Sequence, residues 1–206
     1  VNNVKTFASI LMPGVQHMRH THLPEHKFVS GQPETGGDLA DDLERIASNF
    51  GPENIAACIV EPIAGSTGTL VPPKGYLQRL REICDKHGIL LIFDEVITGW
   101  GRTGSSFASH EFGVTPDLMT MAKATTNGVV PMGVVACKDE IYDAVMDASP
   151  MGSVELFHGY TYSGIPVAVA AGLAVQDIFE KEDIFNRAKN LAPYFQKGLF
   201  SLQDLE

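Results

Sequence analysis

Gly88-Ile-Leu-Leu-Ile-Phe-Asp-Glu-Val96 is the stretch that decides the fold. Ile89 to Phe93 is an unbroken apolar run, opened by a glycine and closed by two carboxylates, which predicts a strand buried on both faces as in parallel sheets. Asp94 stands at its exit. Ligands of open α/β sheets bind beyond the carboxyl ends of the strands, so Asp94 is a candidate for meeting a bound molecule. A helix or turn cap is the other reading of an aspartate in this place.

Helical and extended patterns alternate around that strand. Leu39, Leu43, Ile46, Ala47 and Phe50 form a helical stripe, with Asp38 as N-cap and Gly51 near the stop. A strand over 55–60 and a glycine-rich turn through Gly68 follow, then a helix carrying Tyr76, Leu80, Ile83, Cys84 and His87 and closed by Gly88. Strands are expected over 118–122 and 132–137, and helices over 139–147, 165–182 and from about Ile184 onward. The small residues Ala168, Ala170, Ala171, Gly172 and Ala174 would let the second of these helices pack closely. The fold class is therefore α/β, a mostly parallel sheet flanked by helices. Residues 1–37 hold turn formers without periodicity and read as loop with short pieces of strand.

Lys123 is the most informative single residue. In Pro116-Asp-Leu-Met-Thr-Met-Ala-Lys-Ala-Thr-Thr-Asn-Gly-Val-Val-Pro-Met-Gly133 it is the one ammonium among apolar and small residues. A desolvated lysine loses proton affinity, and the neutral amine attacks carbonyls to form a Schiff base. A lysine that merely snorkels from a strand end is the alternative.

Leu91-Ile-Phe-Asp-Glu-Val-Ile-Thr-Gly-Trp-Gly-Arg-Thr-Gly104 followed by Pro116-Asp-Leu-Met-Thr-Met-Ala-Lys123 resembles the signature of class III pyridoxal-phosphate-dependent aminotransferases. Val60-Glu-Pro-Ile-Ala-Gly-Ser-Thr-Gly68 and Phe157-His-Gly-Tyr-Thr-Tyr-Ser-Gly164 agree with it, in the expected order. The spelling is most similar to omega-amino acid:pyruvate (beta-alanine:pyruvate) aminotransferases. The resemblance implies part of the large domain of a fold-type I, three-layer α/β/α transferase, a single partial cofactor domain over 1–206 without the N-terminal segment and C-terminal small domain.

The same resemblance implies pyridoxal 5'-phosphate as cofactor and ping-pong transfer of an amino group from an omega-amino acid or amine to pyruvate or a related keto acid. Lys123 would form the Schiff base and shuttle the proton, Asp94 would pair with the pyridine nitrogen, and Val96 would pack on the ring. Thr161 matches the position that reaches the cofactor phosphate of the partner subunit, which implies a homodimer; read from the residues alone it is an ordinary strand threonine. Glu61 matches a substrate-side glutamate, whereas Arg102 reads as structural. Ala124 stands where the family has Gly and Ile165 where it often has His. The phosphate cup, ring-stacking aromatic and substrate-carboxylate arginine would lie outside these residues, so the chain alone is expected to bind the cofactor weakly. An aminomutase or decarboxylase on the same scaffold, or a non-catalytic oligomerisation module, are the alternatives. A nucleotide-binding domain is disfavoured because no Gly-x-Gly-x-x-Gly opens a helix.

Composition bounds the partners. With 206 residues, 44% hydrophobic, one domain is the expectation. A net charge of −10, with pI near 5.1 and no basic cluster, argues against nucleic acid or an acidic membrane as partner. Cys58, Cys84 and Cys137 lie in apolar contexts and read as buried residues of a reducing compartment. Without an apolar run long enough to span a bilayer or a secretory leader, the expected location is the cytoplasm. His17, His20, His22 and His26 lack a metal-ligand spacing and read as a solvated loop. Phe185, Ala188, Leu191, Ala192, Phe195, Leu199 and Leu202 predict an exposed apolar face on the last helix that could drive association.

Overall fold

The structure is a computed structural model that describes residues 6–151, 156 and 158–205. Its α-helices include α1 (Asp42–Phe50), α2 (Tyr76–His87), α3 (Ala108–Phe112), α4 (Asp139–Asp147), α5 (Pro166–Lys181) and α6 (Ile184–Phe200). The strands are β1 (Ala57–Val60), β2 (Leu90–Asp94), β3 (Leu118–Met121) and β4 (Val134–Cys137). They form one sheet in the order β1-β2-β3-β4, mostly parallel, with β3 and β4 antiparallel. The chain divides into two compact units, Val1–Cys58 with Pro62–Leu90, and Ile59–Glu61 with Leu91–Glu206.

In the first unit α1 and α2 pack through the apolar stripes that their spacing prescribes. Leu43, Ile46 and Ala47 of α1 and Tyr76, Leu77, Leu80, Ile83 and Cys84 of α2 are buried. Gly88 ends α2 at φ +68° and Gly51 follows α1 at φ +78°, backbone conformations that cost a glycine little. Polar staples complete the packing. Arg45 Nε and the Arg19 amide donate to opposite oxygens of buried Asp42, each at 2.8 Å. Lys86 Nζ at 2.8 Å and His87 Nε2 at 2.7 Å meet the two oxygens of Glu44.

Several expectations change here. Asp38 is not the N-cap of α1: it lies inside a 3-10 turn, Gly37–Asp41, that leads into the helix. Among residues 6–37 there are 3-10 turns at Ala8–Ile10 and Pro24–His26 in place of short strands. His26 is buried rather than solvated, its Nδ1 3.0 Å from the Thr21 carbonyl oxygen and its Nε2 3.5 Å from Thr35 Oγ1. A buried imidazole needs partners, and this loop folds back to supply them.

In the second unit β2 and β3 run parallel, with Asp94 opposite Thr120. Burial alternates along β2: Leu91 and Phe93 are fully buried, Ile92 and Asp94 half-buried. One face is packed more tightly than the other, so the uniform apolar run overstates the covering. Asp117 starts the β2–β3–β4 arrangement: its Oδ2 accepts the Leu91 amide at 2.7 Å and its Oδ1 pairs with Lys138 Nζ at 2.7 Å. Cys137, expected inside, is exposed because β4 is the edge strand of the sheet.

Of the small residues on α5 only Ala168 and Gly172 are buried, one turn apart on one face. Leu191, Phe195 and Leu199 of α6 are exposed, as is Leu202 beyond it. No helix among the described residues is long and apolar enough to cross a membrane.

The Glu44 staple sets a pH dependence. Hydrogen bonds from Lys86 and then His87 hold the Glu44 carboxyl below its ordinary value of 4.5. The folded value lies below the unfolded one, so the stabilisation is complete above about pH 4.5 and fades as pH falls through the folded value. Glu44→Gln is expected to lower stability by about 1 kcal/mol at pH 7 and to flatten the acid limb of the stability curve. Urea melts of both proteins from pH 3 to 7 measure it.

Candidate active site

The site is built at the carboxyl ends of the strands. Asp94 is the last residue of β2, and Lys123 follows β3 after one intervening residue, Ala122. Because β2 and β3 are parallel with Asp94 opposite Thr120, the two residues stand at the same edge on neighbouring strands. Glu61 directly follows β1 and is half-buried. Three ionisable residues thus stand at or just beyond the ends of three successive strands.

Asp94 serves as a turn cap as well as a candidate ligand group. Its Oδ1 accepts the Val96 amide at 3.1 Å, an Asx turn that fixes one carboxylate oxygen. Val96 is half-buried in the turn that this bond makes.

Lys123 adopts φ +47°, a left-handed conformation uncommon outside glycine and asparagine. It opens a 3-10 turn, Lys123–Thr125, and its carbonyl accepts the Gly128 amide at 3.2 Å. The desolvation expected from its sequence surroundings is not found: Lys123 is exposed, as are Asn127, Gly128 and Val129 of the loop that follows. Of its apolar neighbours in sequence, Val129 turns outward with the loop, while Ala122 and Ala124 are half-buried.

Thr161 lies in an exposed turn between α4 and α5 and is not a strand residue. Among the described residues no hydrogen bond joins it to Asp94 or Lys123. Phe157 of the same motif lies outside the described residues. Arg102 is exposed in the loop after β2.

The structure adds a residue that sequence reasoning passed over. Glu95 has no exposed surface, yet its carboxylate is satisfied by Thr98 Oγ1 at 3.0 Å, the Ala108 amide at 2.7 Å and the Ser109 amide at 2.8 Å. Its own amide donates to Thr120 O at 2.9 Å. Glu95 therefore ties the strand end to the start of α3, where backbone amides favour an anion. The available signal was the acid directly beside Asp94, which looks like a second site carboxylate.

Aromatic packing organises the loop between them. The Trp100 ring lies 4.9 Å from Phe107 and 6.0 Å from Phe179, and Phe179 lies 5.3 Å from Phe185. At Gly101, φ +90°, an added Cβ would lie 2.6 Å from the Phe185 ring. The Gly-Trp-Gly-Arg-Thr-Gly motif is thus a close-packed strap against α5 and α6.

Strand-end acid, strand-end lysine and a glycine-rich strap between them define a class of protein, and comparisons agree on which. The profile of the class-III aminotransferase family matches residues 2–206. This chain belongs to the class-III aminotransferases. It is 59% identical over 195 residues to an omega-aminotransferase of Caulobacter vibrioides, covering 94% of the chain and 44% of that protein. It is 53% identical over 203 residues to a beta-alanine–pyruvate aminotransferase of Pseudomonas aeruginosa, covering 98% of the chain and 45% of that protein. A thermostable omega transaminase 6-fold mutant from Pseudomonas jessenii superposes with a TM-score of 0.87 at 32% identity, over 100% of this chain and 46% of that one. The chain therefore spans somewhat under half the length of the relatives it matches.

Glu95→Ala is expected to cost about 3 kcal/mol, because it leaves the Ala108 and Ser109 amides buried without an acceptor. Hydrogen exchange should accelerate across 95–109 first. Chemical denaturation with peptide-resolved exchange measures both.

Proposed function

We propose that this chain is the cofactor-bearing part of a pyridoxal-phosphate-dependent aminotransferase that moves an amino group from an omega-amino acid, such as beta-alanine, or an amine to pyruvate or a related keto acid. One observation carries the reading: a carboxylate and an amine end neighbouring parallel strands, Asp94 and Lys123. The donor set fits the cofactor. Asp94 has one oxygen engaged by the Val96 amide, and the exposed Lys123 amine is the nucleophile that an aldehyde requires.

When bound, the cofactor supplies an aldehyde and a pyridinium ring that withdraws electrons from the reacting carbon. The protein's part is to hold and move protons. A carboxylate Oδ of Asp94 would keep the ring nitrogen protonated, and Val96 would supply an apolar floor. Lys123 Nζ would hold the cofactor at its aldehyde carbon and, as the free amine, would take and return the proton at the amine-bearing carbon of the substrate. Glu61 would border the substrate. Thr161, in its exposed turn, would reach toward the phosphate held by a second copy of the chain, so the working form is a homodimer. Residues 1–206 would form one part of a large cofactor domain, and the protein would work in the cytoplasm. The name of the Pseudomonas aeruginosa relative supports beta-alanine and pyruvate as the substrates to try first.

In the intact protein, borohydride reduction in the presence of pyridoxal phosphate should fix the cofactor on the peptide that contains Lys123, and Lys123→Ala should abolish it. Alanine formation from beta-alanine and pyruvate should fall by at least about a thousandfold in Lys123→Ala and about a hundredfold or more in Asp94→Asn. Unimpaired alanine formation in Lys123→Ala would overturn the reading. Decarboxylation or isomerisation of the amine with no pyruvate consumed would assign the scaffold to another reaction.

A further inference from the structure

The Lys123 turn is held from outside the turn. Thr125 is buried, and its hydroxyl donates to the Ala122 carbonyl at 3.0 Å, the same oxygen that accepts the Thr125 amide at 3.0 Å. That hydroxyl oxygen accepts the indole N–H of Trp100 at 3.0 Å. Behind it, an added Cβ on Gly172 of α5 would lie 3.6 Å from the Thr125 carbonyl oxygen, so helix and turn are in close contact. Lys123 at φ +47° and Trp100 at φ +62° are both non-glycine residues in the left-handed region, and the Trp100–Thr125–Ala122 relay is the hydrogen-bonded path between them.

We infer that Trp100 is a positioning residue for Lys123: its indole N–H, through the Thr125 hydroxyl, fixes the left-handed turn that presents the lysine beside the end of β2. The inference rests on the proposed role of Lys123 as the cofactor nucleophile. Two features single out the N–H from the ring. The aromatic contacts of Trp100 with Phe107 and Phe179 need only an apolar ring, which phenylalanine keeps. The bond to Thr125 needs an indole, since phenylalanine has no donor. The relay also has a direction: Thr125 Oγ1 spends its one proton on Ala122 O and so presents only lone pairs to Trp100.

The test uses Trp100→Phe, Thr125→Val and Thr125→Ser in the intact protein. In Trp100→Phe and Thr125→Val, amide exchange of the 122–128 segment without cofactor should rise about three- to tenfold, the effect of one lost buried hydrogen bond, while exchange across α2 stays at the wild-type rate. The rate at which borohydride traps pyridoxal phosphate on Lys123 should fall by a similar factor with its pH midpoint unchanged, because geometry and not ionisation has been altered. Thr125→Ser should restore both. Wild-type exchange in Trp100→Phe, uniform acceleration across the molecule, or a Thr125→Ser variant that behaves like Thr125→Val would overturn the inference. If Trp100→Phe loses its cooperative melt, the two Thr125 variants decide alone. If wild-type Lys123 is never trapped, the proposed function fails, and the exchange measurements still decide whether Trp100 holds the turn.

Discussion

A carboxylate without exposed surface, Glu95, governs the shape of the candidate site. Burying an unpaired charge costs several kcal/mol, so Glu95 is tolerable only because three donors converge on it, two of them amides at the start of α3. Those donors come from a loop that must leave the sheet, reverse, and return to within reach of the strand it left. Asp94, one residue earlier, inherits a fixed position from this anchoring, and so does the strap that contains Trp100. The acid that holds the scaffold and the acid that can meet a ligand are neighbours in sequence with opposite environments, one sealed and the other half-open.

How much of this was legible follows from where the information lies. The α2 helix and its stop at Gly88 could be read because spacing and a left-handed cap are local properties. The α4 helix was legible over the same bounds, 139–147, although no left-handed cap ends it. The position of Asp94 followed from a strand ending in a charge, and the importance of Lys123 from its setting, but their adjacency needed the parallel register of β2 and β3. Burial was read less well. Lys123 is exposed amid apolar sequence, Cys137 lies on an edge strand, and His26 is buried in a segment of turns, since each depends on what packs against it rather than on its neighbours in the chain. Glu95 was visible as a residue and invisible as an anchor because two of its three partners lie 13 and 14 positions away.

The apolar outer surfaces belong to the same picture. Periodicity drew the face of α6 in part: Leu191, Phe195 and Leu199 are exposed on it, whereas Phe185, Ala188 and Ala192 are half-buried, Phe185 because it packs on Phe179. The helix runs through Pro193, which removes one backbone donor where the helix would use it.

The balance of strain at Lys123 ties these points together. A left-handed conformation costs a non-glycine residue about 1 to 2 kcal/mol, and a single neutral hydrogen bond returns about 0.5 to 1.5 kcal/mol. One bond is not enough to hold such a residue securely. The turn has several: Thr125 N–H and Oγ1 to Ala122 O, and Gly128 N–H to Lys123 O, with the Trp100 indole closing the set. Two of those bonds share the Thr125 hydroxyl, so deleting that one group removes both a donor and an acceptor. A lysine kept only to carry charge on the surface gains nothing from such an arrangement, because an ordinary turn would expose it equally well. Strain sustained by convergent bonds at a strand end, beside an acid on the next strand, is the pattern expected where the direction of one amine matters.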